Sequence, residues 1–150
     1  MQKVKLGNII TNYDSMRKPL SKMDRYKMQG SIPYYGANGI IDYVKDAKFF
    51  GQYILLAEDG TVIGPNNNPV VFLTKEKEKF WVSNHAHIFK PISGTDAKYL
   101  YYNLSSINIL PYITGAVQLK ITQENLNNIL LSIHSIEEQR HIVDTILFCF

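Results

Sequence analysis

Through the first three quarters of the chain, apolar residues come in short runs: Val4 to Leu6, Ile40 to Val44, Tyr53 to Ala57, Val70 to Thr74, Phe80 to Val82 and His87 to Phe89. Each is rich in β-branched or aromatic side chains, the composition of strands. Turn chemistry separates them. Asp59-Gly60 follows the run Ile54-Leu-Leu-Ala57, and Gly64-Pro-Asn-Asn-Asn-Pro69 is a polar loop whose prolines can continue neither neighbour. The alternation predicts a mainly antiparallel, curled β-sheet. Helical spacing comes later. Thr95 or Asp96 can cap a segment bearing Ala97, Leu100, Tyr101 and Leu104, and a second short helix is predicted after Thr122. The strongest boundary is Ser135-Ile-Glu-Glu138, a capping box. Beyond it Ile136, Val143 and Phe150 recur every seven residues, with Ile142, Ile146 and Leu147 widening the stripe into an apolar face that wants a partner. The fold class is α+β: a compact domain over 1–134 with flanking short helices, then the start of a long helix over 135–150.

With 150 residues, 45% of them hydrophobic, the chain suffices for one domain with its own core. The single cysteine, Cys149, allows neither an internal disulfide nor a cysteine zinc site, which suits a reducing cytoplasm. No signal-like start and no membrane-length apolar run is present, so a soluble, intracellular protein with no membrane partner is expected. The net charge of +3 is unevenly spread. Residues 1–30 hold Lys3, Lys5, Arg17, Lys18, Lys22, Arg25 and Lys27 against Asp14 and Asp24, a net of +5; residues 31–121 come to +1 and residues 122–150 to −3. Cations gathered at one end of a chain are what phosphate binding needs.

Gly30-Ser-Ile-Pro-Tyr-Tyr-Gly-Ala-Asn-Gly-Ile-Ile-Asp42 packs three glycines, a proline, two tyrosines and an asparagine into thirteen residues. It reads as a shaped loop rather than a core element, with Asn38-Gly39 suited to a type I′ turn and with Tyr34, Tyr35 and Asn38 presented to a partner. An asparagine amide offers a donor and an acceptor together and can read an adenine edge, which makes a polynucleotide the first partner to consider. Thr114-Gly-Ala-Val-Gln-Leu-Lys120 is a second candidate loop, where Thr114, Gln118 and Lys120 supply hydroxyl, amide and cation. The chain has three arginines against twelve asparagines and six glutamines, so base reading would rest largely on amides.

Catalytic signatures are scarce. The glycine-rich nucleotide loops and the His-Glu-x-x-His zinc motif are absent, and Asn68-Pro69-Val70 lacks the remainder of the adenine-methyltransferase tetrapeptide. Asp46-Ala-Lys48 and Asp96-Ala-Lys98 match only half of a metal-dependent nuclease signature. His85-Ala-His87 would place two imidazoles on one strand face, but no third ligand is fixed by spacing, so hydrogen bonding is the favoured role. Glu58-Asp59 reads as part of a turn. No catalytic residue, metal ligand or bound cofactor is assigned.

The ordered set Arg17-Lys-Pro-Leu-Ser21, Arg25, Gly30-x-x-Pro-Tyr-Tyr-Gly-Ala-Asn-Gly39, Leu55-Leu-Ala-Glu-Asp-Gly60, Asn84-His-Ala-His87, Thr114-Gly-Ala-Val-Gln118 and Glu137-Glu-Gln-Arg-His-Ile142 resembles the target-recognition domain of type I restriction-modification specificity subunits. The resemblance implies a non-catalytic domain whose curled sheet reads one half of a bipartite site in double-stranded DNA. It implies modification (methyltransferase) and motor-nuclease (restriction) subunits as partners, with S-adenosylmethionine, ATP and Mg only on those partners. DNA contact falls to Arg17, Lys18, Lys22, Arg25, Tyr34, Tyr35, Asn38, Thr114, Gln118 and Lys120. Contact with a second chain falls to Ile136, Gln139, Ile142, Val143 and Ile146 on a spacer helix. This sequence departs from the family pattern in holding one recognition domain and a spacer that stops almost at once. That leaves open half of a split, dimerising subunit, a recombination cassette, or a truncated interaction module that binds methyltransferase subunits as a decoy.

Overall fold

A computed structural model describes residues 1–149. The strands are β1 (Gln2–Lys5), β2 (Ile10–Asn12), β3 (Gln29–Gly36), β4 (Gly39–Val44), β5 (Phe49–Phe50), β6 (Ile54–Ala57), β7 (Val71–Leu73), β8 (Lys79–Val82), β9 (Ala86–Pro91) and β10 (Leu130–Ile133). The helices are α1 (Lys22–Lys27), α2 (Ala97–Leu104), α3 (Gln123–Asn127) and α4 (Ile136–Cys149). Two four-stranded sheets, ordered β2-β9-β6-β7 and β4-β3-β8-β5, form the body, and β1 pairs with β10 in a small ribbon. Every pairing is antiparallel except β3 with β8. The mixed architecture of antiparallel sheets and short helices agrees with the fold expected from the sequence.

Alternation along the strands explains how the sheets stack. In β6, Ile54, Leu56 and Ala57 enter a core shared with Leu100, Leu104, Ile121 and Leu126 of the helical side, whereas Leu55 turns to the other face. There it meets Tyr35, Phe80 and Val82 of the second sheet, together with Ile88 of β9. The second sheet alternates likewise: Tyr34 and Trp81, the neighbours of Tyr35 and Val82, face away into a third core with Val44, Leu20 and Met28. The order is therefore helices, sheet, sheet, and the segment around α1. Because β6 and β9 are covered on both faces, Ile54–Ala57 and Ala86–Phe89 are buried at every position.

The largest departure from expectation is β3. Residues 29–36 form a strand bonded to both β4 and β8, where the glycines and Pro33 had suggested a loop. The irregular composition appears instead as register shifts between Gln29 and Ile32 and between Tyr34 and Tyr35, and the two tyrosines still alternate to opposite faces. The hairpin is not type I′ either. Gly36 pairs with Gly39, so the central residues are Ala37 and Asn38 and not the expected Asn38-Gly39; type I′ needs positive φ at both, neither has it, and Gly39, at +113°, follows the turn.

Helix caps follow the sequence closely. The Ser21, Asp96 and Thr122 side chains accept from the backbone N–H of Asp24, Tyr99 and Asn125. At α4, Ser135 accepts from the Glu138 amide and donates its own hydroxyl to the Glu138 carboxylate. This helix is already engaged with the domain. Gln139 is fully buried, accepting from the Asp96 amide and donating to the Gly94 and His134 carbonyls. Val143 is also buried. Gln139 and Val143, expected to face a second chain, thus belong to the contact of α4 with its own domain, because a buried amide takes whatever backbone partners lie nearest. Ile136, Ile142 and Ile146 are half-buried, and Leu147 and Phe148 are exposed. Phe150, the last member of the expected stripe, lies outside the described residues.

Candidate nucleic-acid interface

The most heavily charged place in the interior is built on His87. The ring is wholly buried, with Nδ1 2.6 Å from Asp14 Oδ2 and Nε2 2.7 Å from the Ile121 carbonyl oxygen. A carbonyl only accepts, so Nε2 donates to it, and Nδ1 faces the carboxylate. Glu58 Oε1 lies 3.4 Å from Nδ1 on another side. Arg17 completes the group: Nη1 donates to Glu58 Oε1 at 3.2 Å and to the Ala86 and Asn84 carbonyls, and Nε donates to the Asp14 carbonyl. Arg17 and the imidazole thus stand against two carboxylates, which is how a protein tolerates charge taken out of water. Burial opposes ionisation of Asp14, but the hydrogen bond and charge of His87, the Ile88 amide and Arg17 outweigh it and hold this carboxyl below its ordinary range.

Asp14, Glu58 and His87 bring their ligand atoms within 4.8 Å of one another, so they could surround a metal ion. Arg17 already supplies a positive charge beside the two carboxylates, and both nitrogens of the imidazole are engaged by the protein's own oxygens, so the arrangement is that of an interior polar network. His85 is separate. It is exposed, and its Nδ1 lies 2.8 Å from Asp59 Oδ1. The two histidines of the expected pair therefore meet different carboxylates. Spacing along the strand could not show this, because Asp14 arrives from a segment far away in the chain.

Several expected DNA contacts are internal. Arg17 is a strut between segments, since its Nε and Nη1 donors are engaged with the protein's own acceptors. Arg25 lies 5.1 Å from the Tyr34 ring centre and donates to Asp42 Oδ2 at 3.3 Å. Tyr34 is buried in the third core, its hydroxyl accepting from the Leu20 amide. Tyr35 is buried between the sheets and donates to Glu78, and burial together with that carboxylate pushes its phenol well above the ordinary range. These four side chains correct the sequence reading: aromatic and guanidinium groups that looked free were needed to fill and neutralise the interior. Asn38 is exposed, but its amide donates to the Thr61 carbonyl at 2.7 Å and accepts from the Thr61 amide at 3.3 Å, pinning the hairpin to the Gly60 turn.

Lys18, Lys22, Thr114, Gln118 and Lys120 are exposed, as surface contacts must be. The last three share one protruding turn, closed by reciprocal backbone bonds of 2.8 Å between Thr114 and Lys120. Gly115 has φ +97°, and a Cβ there would lie 2.2 Å from the Gln118 carbonyl oxygen, so only glycine permits the turn. Thr114 also directs its hydroxyl to the Lys120 carbonyl at 3.3 Å. Val117, at the tip, is completely exposed and offers an apolar contact that the sequence reading passed over.

The sequence profile of the type I restriction modification DNA specificity domain matches residues 1–147, and the chain belongs to that family. A relative from Haemophilus influenzae, named as a type I restriction enzyme specificity subunit (S.HindORF215P), is 33% identical over 138 residues, covering 92% of this chain and 34% of the relative. The crystal structure of the specificity subunit of a type I restriction-modification system from M. genitalium is similar, with TM-score 0.75 and 14% identity over 96% of this chain and 37% of that one. A chain from a structure of complex assembly and conformational transition in a type I system has TM-score 0.71 and 15% identity over 96% of this chain and 36% of its own length. This chain spans about a third of each of these proteins.

Two outcomes follow from the buried network. A carboxyl held below its ordinary range adds stability above its unfolded value, about pH 4, and loses it as pH falls through the lower folded value. Urea unfolding measured from pH 7 down to pH 2 should show the advantage of wild type over Asp14→Asn shrinking below about pH 4; a constant gap would remove Asp14 as the cause. Arg17→Ala should lower unfolding free energy by about 3 kcal/mol, because it strands buried carboxylates. Unchanged stability with weakened binding to every DNA sequence would return Arg17 to the phosphate-contact role.

Proposed function

We propose that this chain recognises DNA as part of a type I restriction-modification specificity subunit, reading one half of a bipartite site. Residues 1–134 form the recognition unit and residues 135–150 the start of a spacer helix. The observation that carries the reading is the family match over residues 1–147, and the exposed turn at 114–120, closed by backbone bonds between Thr114 and Lys120, supports it. A turn closed by its own backbone bonds has less conformational freedom to lose on entering a groove. Within it Gln118 is the base reader, because its amide pairs with the N6 and N7 edge of adenine, and Lys120 and Lys18 supply phosphate contacts. Lys22 belongs with them.

The chain has no catalytic step of its own in this reading. Methylation and cleavage belong to modification and motor-nuclease subunits in the cytoplasm, and S-adenosylmethionine, ATP and Mg are theirs. The end of α4, where Ile142 and Ile146 are half-buried and Leu147 and Phe148 exposed, is the surface offered to a modification subunit or to a second specificity half.

Selection from random duplex DNA at ~150 mM salt, where nonspecific attachment is weakened, should enrich a short motif. No enrichment, with or without the modification subunit, would overturn the reading. Gln118→Ala should lose about 1 to 3 kcal/mol of discrimination at one base pair of that motif. Equal weakening on every sequence would remove Gln118 as a reader. The double variant Ile142→Glu, Ile146→Glu should keep DNA selectivity and lose capture of the modification subunit; undiminished capture would exclude this face of α4.

A further inference from the structure

We infer that a groove at the open end of the second sheet, lined by Lys45, Lys48, Lys79 and the exposed ring of Phe50, is the principal phosphate-contact surface for duplex DNA. The inference rests on the DNA reading above and gives that reading a face of the fold which the sequence did not single out.

The groove follows from the strand pairing. Phe49 pairs with Phe80 and Phe50 with Lys79, so alternation buries the first pair between the sheets and turns the second pair outward. Lys79 shares its face with Trp81, two residues along β8, whose ring is covered by the segment ahead of α1 through a hydrogen bond to the Lys18 carbonyl. That cover leaves Lys79 and Phe50 exposed, with Phe50 58% accessible. The β4–β5 connection brings the other two lysines to the same place. Its backbone is fixed at both ends, by the Lys45 amide donating to the Met28 carbonyl and the Lys48 amide donating to the Phe80 carbonyl. The result is an open groove of about 370 Å³ that all three lysines line, with Ile32 as part of its apolar lining.

Its electrostatics point to one partner. Asp46 is the only acid lining the groove, which leaves a formal net of +2. Among the described residues none of the three lysines is ion-paired, in contrast to Arg17 and Arg25. Three ammonium groups on flexible stems over a shallow groove suit a chain of phosphates better than one carboxylate, which a planar guanidinium would hold in a bidentate clasp. The bond from Lys45 to Met28 joins the groove to the end of α1, next to Lys27, so the surface continues into the basic N-terminal segment. Phe50 adds an apolar contact for sugar edges between phosphates.

The test compares Lys45→Gln, Lys48→Gln, Lys79→Gln with a charge-matched control, Lys3→Gln, Lys5→Gln, Lys98→Gln, whose positions lie on β1 and α2. Affinity for a duplex recovered by selection is measured from about 50 to 200 mM salt, and thermal unfolding checks that both variants fold. The slope of log affinity against log salt should become shallower by about 0.9 per lost contact, about 2.7 for the groove variant, with the preferred motif retained. Raising salt across that range would then weaken the groove variant about 40-fold less than wild type. The control should keep the wild-type slope. A groove variant that matches the control overturns the groove while DNA recognition stands. Loss of sequence preference at an unchanged slope also overturns it, because phosphate contacts carry no sequence information. If wild type fails to bind any duplex at about 50 mM salt, the DNA reading falls and the groove with it.

Discussion

The domain depends on an imidazole that has no freedom left. His87 lies on the strand at the centre of the first sheet, and its two ring nitrogens meet Asp14 and the Ile121 carbonyl, groups more than a hundred residues apart in the sequence. Asp14 in turn accepts from the Ile88 amide at 2.8 Å, so one carboxylate holds both the side chain and the next backbone group. Apolar packing alone cannot fix how a loop sits on a sheet to a fraction of an ångström. A directional charge-assisted bond can, and in a low-dielectric interior it becomes costly to misplace. Through Arg17 the same network reaches the Glu58 turn and the β9 entry, so the N-terminal segment, the end of β6, the start of β9 and the segment before α3 share one electrostatic anchor.

Once that anchor is set, the roles of the other charged and aromatic residues follow. Tyr34 and Tyr35 are consecutive, yet they enter different cores because strand neighbours face opposite ways. Each hydroxyl reaches a partner at the edge of its core, which is what lets a tyrosine stand where a phenylalanine would otherwise be needed. Arg25 closes the third core by lying over Tyr34 and pairing with Asp42 of β4. Both arginines of the N-terminal segment are thus structural, and its lysines remain outside. The guanidinium is the less strongly hydrated cation and carries several donors in a fixed plane, so it enters interiors that an ammonium avoids.

That division explains what could be read in the sequence. Short strands such as Ile54–Ala57 and the capped helices at Asp96, Thr122 and Ser135 were legible, because alternation, length and caps are local properties. The exposed turn at Thr114 to Lys120 was legible as a candidate because glycine and polar residues cluster within it. β3 was not. Its glycines and proline argue against a strand locally, and it is held by a bulged hairpin with β4 and by pairing with β8, far along the chain, which no local pattern encodes. Arg17 and Arg25, expected as phosphate contacts, are engaged with the protein's own acids, and the sequence hid this for a related reason. Charge clustering along a sequence reports the number of cations, and only the fold reports which of them have acids waiting.

The lysine groove carries that argument to its end. Residues 31–121 have a net charge of only +1, so the middle of the chain looked electrostatically neutral. Neutrality in the sequence concealed an internal sorting. Glu58, Asp42 and Glu78 face inward to Arg17, Arg25 and Tyr35, while Lys45, Lys48 and Lys79 face outward with Asp46 alone beside them. The interior draws the acids away from the surface, and the surface becomes more basic than the composition of the segment. A domain built in this way can attract a polyanion at modest net charge, and its amide-bearing turn is then free to discriminate among sequences instead of supplying the affinity.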